Sequence, residues 1–121
     1  METLIKILIW FIALEHLFFF YFEMFAWETL GKKLFRGVLP KELFAPTKML
    51  AANQGLYNAF LAAGLIWSIF IDNAEWSANV SIFFLSCVAV AGMYAGLTSS
   101  RKILLIQAFP AIVALILVIW K

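Results

Sequence analysis

The chain is 121 residues long, room for one domain, with 65% hydrophobic and 13% charged residues and a net charge of +2. A soluble domain this small leaves too large a share of its residues at the surface to hide so much apolar area, so lipid is the expected solvent for most of the chain. The charge is too small and too scattered for a nucleic-acid surface, and the single cysteine, Cys87, excludes an intrachain disulfide.

A helical crossing of the hydrocarbon needs about 20 mostly apolar residues, and four stretches meet or approach that length. The first, 4–27, is rich in Leu, Ile and Phe but holds Glu15, His16 and Glu23. A charged group at the bilayer centre costs about 2.5–3.5 kcal/mol on insertion scales, so such residues are expected to face other helices and to mark function. His16 and Glu23 are seven apart and share a helix face; Glu15 lies about 100° around from His16. The length of the run, its ionisable residues and the lack of a small-residue cleavage site argue against a signal peptide.

The linker 28–47 interleaves Leu34, Phe35, Val38, Leu39, Leu43 and Phe44 with Lys32, Lys33, Arg36 and Lys41, and Gly37, Pro40 and Pro46 break it into short pieces. That pattern predicts an amphipathic segment lying in the membrane interface.

The second span, 48–71, carries Asn53, Gln54, Tyr57 and Asn58 at i, i+3 and i+4 spacing, one polar stripe. Gly55, Ala59 and Ala63 make a small face on the same span. The third, 77–98, contains Gly92-Met93-Tyr94-Ala95-Gly96, a GxxxG surface for close helix approach. Whether this surface packs within a chain or pairs two chains as a homodimer is open at this point. The fourth, 103–120, adds Gln107 one turn in, with Pro110 deeper.

The runs lack the alternation of barrel strands, so helices satisfy the backbone. The expected fold is therefore all-α: one transmembrane domain over 1–121, an up-down-up-down four-helix bundle. The first and third linkers are basic, with Lys32, Lys33, Arg36, Lys41, Lys48, Arg101 and Lys102; the second holds Asp72 and Glu75 and no basic residue. The positive-inside rule then puts both termini outside. Glu23, Asn53, Gln54 and Gln107 fall in a tier near the cytoplasmic side, and Glu15, His16, Tyr57 and Asn58 in a tier near the midplane. These eight residues are the candidate ligand- or proton-binding set.

Glu15-His16-Leu17, then Phe22-Glu23-Met24-Phe25, then the run from Lys48 through Asn53-Gln54-Gly55-Leu56-Tyr57-Asn58 together resemble the DUF1304 family of small bacterial membrane proteins. Ser100-Arg101-Lys102 and Gln107-Ala108-Phe109-Pro110 fit its last part. The resemblance covers nearly the whole chain and implies a four-helix protein of the bacterial inner membrane. It implies no activity.

Three classes of function fit these residues. A binding or transport bundle would use Glu15 for a proton or small cation; the plan is similar, in architecture only, to small multidrug-resistance exporters. An intramembrane acid–base enzyme would use His16, which holds or releases a proton near neutrality, on a lipophilic, lipid-like substrate. A structural subunit would use the polar groups as interhelical glue, worth about 0.6 kcal/mol each. The H-x-x-x-H and E-x-x-H spacings of helix metal sites are absent, so no metal is expected. Nothing names a cofactor.

Overall fold

In an apolar setting every backbone N–H and C=O must be paired, and a helix pairs them within its own segment. The structure, a computed structural model, describes residues 2–121, and each apolar run in it is helical. In chain order the elements are α1 (Thr3–Phe25), a π-helical turn (Trp27–Gly31), α2 (Lys32–Leu34), a 3-10 turn (Lys41–Leu43), α3 (Lys48–Ile69), α4 (Ala74–Thr98), α5 (Arg101–Ile103), a second π-helical turn (Leu104–Ala108) and α6 (Phe109–Trp120). The described residues contain no strand.

Among the described residues three helices are long and apolar enough to cross a membrane: Thr3–Phe25, Ala74–Thr98 and the continuous helix Arg101–Trp120. The second expected span, 48–71, is not among them. At 22 residues α3 has the length, but Asn53, Gln54 and Asn58 dilute its apolar content. Helix ends have local causes: α4 starts at Ala74 because the Asn73 side chain caps it, accepting from Trp76 N at 3.0 Å, and α5 starts at Arg101, capped by Ser100. Asn73→Ala should cost about 1 kcal/mol, the usual worth of such a cap, and speed amide exchange in the first turn of α4.

The chain packs as two compact units, one of residues up to 14 with 61–121, the other of residues 15–60. In the first, Ile5, Ile9, Ile12, Leu65, Leu85, Val88, Ala111 and Ala114 form the core. There α4 packs along α6 and the π-helical turn. Glycines set that approach: a Cβ at Gly92 would lie 2.8 Å from Ala108 N, and one at Gly96 2.6 Å from Leu104 Cβ. The GxxxG surface is thus used within the chain. The second π-helical turn, Leu104–Ala108, ends two residues before Pro110, which has no N–H to continue the ladder. Three buried hydroxyls find carbonyls: Ser68 Oγ donates to Leu65 O (2.6 Å), Ser77 Oγ to Ser68 O (2.7 Å) and Ser81 Oγ to Ser77 O (2.8 Å).

In the second unit the linker folds around Trp27. Its ring lies tilted against Phe44 at 5.0 Å and Phe35 at 5.5 Å, and Phe35 meets Phe22 at 6.0 Å. Trp27 Nε1 donates to Thr47 Oγ1 at 3.0 Å, so the indole is packed and its polar edge satisfied. Gly37 turns the chain at φ +83, a conformation side chains disfavour. The linker's apolar residues divide: Phe44 is buried, whereas Leu34, Val38 and Leu43 stay exposed.

Candidate functional site

The buried face of α1 begins with Ile5, Ile9 and Ile12 and continues to His16, which is 0% exposed. The spacing of four, three and four keeps these residues on one stripe. A core position is therefore occupied by an ionisable ring, which stands edge-on to Phe19 at 5.2 Å. Glu23 extends the same face two turns on and is half-buried.

Glu15 lies beside that face and is half-buried, but its Oε1 atom is buried and accepts no hydrogen bond among the described residues. Buried polar atoms are nearly always paired, because leaving one unpaired costs about 1–3 kcal/mol. Among the side chains of the described residues, Glu15 is the exception.

Glu23 is satisfied. Asn58 Nδ2 donates to Glu23 Oε1 at 2.6 Å, joining α3 to α1. Gly55 makes the approach close: a Cβ there would sit 3.1 Å from Glu23 Cβ and 3.1 Å from Phe20 O. The sequence places Asn58 in the tier of Glu15 and His16, and its amide donates instead to Glu23. The small face of α3 also differs from expectation. Ala51, Gly55 and Ala62 are buried and Ala63 is exposed. At about 100° per residue the polar stripe is about 140° wide, and Gly55 lies about 60° beyond its Asn58 edge. Only that edge turns towards α1; Asn53, Gln54 and Tyr57 are exposed. Asn58→Ala should cost about 0.6–1.7 kcal/mol, the range for interhelical hydrogen bonds in membrane proteins, measurable by unfolding in mixed micelles.

Gln107 belongs to the first unit, half-buried on the π-helical turn Leu104–Ala108. No three His, Cys, Asp or Glu side chains gather as a metal site among the described residues. A cavity of about 440 Å³ lies in the linker and is lined by none of the eight candidate residues. The buried serines of α3 and α4 and the Trp27–Thr47 bond were not singled out from sequence. A serine in an apolar run carries no signal of its partner, whereas Trp27 at a span's end is a frequent interfacial anchor.

Residues 10–119 match the DUF1304 family, described as "Protein of unknown function (DUF1304)". The chain is 35% identical over 117 residues to "Uncharacterized protein YpaA" of Lactococcus lactis subsp. lactis (strain IL1403), covering 96% of this chain and 97% of that protein. No solved structure matches it. Those matches, extending over nearly every residue discussed above, make the chain a member of the DUF1304 family.

Proposed function

We propose that the protein is a multi-pass protein of the cell inner membrane that binds or transports a proton or small molecule at Glu15, His16 and Glu23. In this reading α3 is a fourth crossing, giving an up-down-up-down four-helix bundle with both termini outside. The length of α3 supports it, as does the Asn58–Glu23 bond, which removes the cost of its most deeply set amide. The exposed Asn53, Gln54 and Tyr57 then mark the approach from the basic, cytoplasmic side.

The observation that carries the reading is the buried Glu15 Oε1 with no donor, next in sequence to a fully buried histidine. A carboxyl oxygen in that state is completed by a proton, a cation or a ligand's donor. A second reading, helix pairing alone, is favoured by the Glu23–Asn58 pair, because that carboxyl is already satisfied.

Proteoliposomes test the proposal. Wild-type protein under an imposed pH gradient should pass protons or drive uptake from a panel of organic cations, and Glu15→Gln should abolish this at unchanged incorporation. Absence of flux in the wild type, with no ligand heat in calorimetry against the same panel, rejects it.

A further inference from the structure

The linker cavity has a chemistry separate from the Glu15 site. Its volume, about 440 Å³, is within the usual range for small-ligand pockets, roughly 300–1,000 Å³. Lys32, Arg36 and Lys41 line it, with Val38, Leu39 and Phe44 as its apolar part, and no carboxylate is among its lining residues. Lys32 and Arg36 are four apart and approach from one side of the Gly37 turn; Lys41 comes from the 3-10 turn on the other. The ion pair found among the described residues joins Lys48 to Glu28 at 3.9 Å and uses none of the three. Three cations held round one cavity repel, and an anion between them relieves that repulsion.

We propose that this cavity binds a phosphate-bearing anion, with the headgroup of an anionic glycerophospholipid as its source. Arg36 supplies the planar fork that pairs with two phosphate oxygens, and the two lysines supply point charges. The source follows from position and from the rim. The linker begins at the end of α1, a helix long and apolar enough to cross a membrane. Val38 is 41% exposed at the cavity, and Leu34 and Leu43 beside it are 49% and 40% exposed, which suits acyl chains and not a free ion in water. The Gly37 position is open, with nothing within 4 Å of where a Cβ would be.

Native mass spectrometry of the detergent-purified full chain tests this with four probes: phosphatidylglycerol, phosphatidylcholine, glycerol 3-phosphate and inorganic phosphate. Phosphatidylglycerol should bind in preference to phosphatidylcholine. Removing one lining cation should weaken it roughly fivefold, and Lys32→Gln/Arg36→Gln/Lys41→Gln together about a hundredfold. Lys33→Gln, the same charge change on an exposed α2 residue outside the cavity, should leave binding unchanged. Equal binding of the two lipids, or equal losses in Lys33→Gln and Arg36→Gln, overturns the site. Glycerol 3-phosphate or phosphate binding as tightly as the lipid overturns the lipid as source. Should the triple variant not fold, a phosphatidylglycerol with a photoreactive headgroup is crosslinked to wild type. Label within 32–44 supports the proposal, and label concentrated at Arg101 and Lys102 overturns it.

Discussion

Glu15→Leu should raise the unfolding free energy by about 1–3 kcal/mol while abolishing proton or ligand binding. The wild-type side chain holds a buried oxygen that no donor meets, and removing such an atom recovers its desolvation cost. Leucine has similar bulk and is among the residues that insert most favourably, at about −0.3 to −0.6 kcal/mol near a helix centre. Glu15→Gln is the control: its amide oxygen stays unpaired, so stability should change far less although the acid is gone. Equilibrium unfolding in mixed micelles, followed by far-ultraviolet circular dichroism, reads both variants. A protein whose Glu15 only joined helices would lose stability on Glu15→Leu, so the sign of the change separates the two roles. His16→Leu should behave differently: His16 is fully buried and has partners, so its removal should not stabilise.

The helical character of the chain and the burial of His16 were legible because both rest on one-dimensional patterns. Long apolar runs select helices, and the cost of an ionisable group in lipid turns His16 towards other helices, whereas the stripe of Ile5, Ile9 and Ile12 that it joins is visible only in the structure. The pairing of Asn58 with Glu23 was not legible. Periodicity grouped Asn53, Gln54, Tyr57 and Asn58 into one stripe, but a stripe about 140° wide has two edges, and which one meets α1 is a tertiary fact. Gly55 held the clue, since a buried glycine on a helix marks the close-approach face. The linker was legible only in outline. Its amphipathic pattern indicated an interface, but a pattern does not say that Trp27 would gather Phe35 and Phe44 beneath it, nor that Lys32, Arg36 and Lys41 would surround one cavity. Those placements depend on the turn at Gly37, which brings residues on its two sides together.

The GxxxG of α4 was open between two uses, and a substitution at Gly92 distinguishes them. Gly92→Leu should destabilise the protein by about 3 kcal/mol or more, at the upper end of overpacking costs. A Cβ there meets Ala108 at N (2.8 Å), Cβ (3.0 Å) and Cα (3.1 Å), so most of what it strikes is backbone on the π-helical turn. Backbone cannot rotate aside as a side-chain tip can. Gly92→Ala should still cost about 1–3 kcal/mol, because the gain of helix propensity from Gly to Ala, at most about 1 kcal/mol, is smaller. Gly64→Ala provides the contrast: the new methyl meets the far end of the Phe84 ring, and Phe84 is only half-buried, so a change of χ1 that swings the ring tip aside relieves it. Unfolding of the three variants in detergent should rank Gly92→Leu lowest, then Gly92→Ala, then Gly64→Ala. Were Gly92 instead a contact between two chains, Gly92→Leu would change the mass of the particle in light scattering and leave the unfolding midpoint of the dilute protein where it was. Because Gly92 already meets Ala108 within its own chain, the shift should appear in the midpoint.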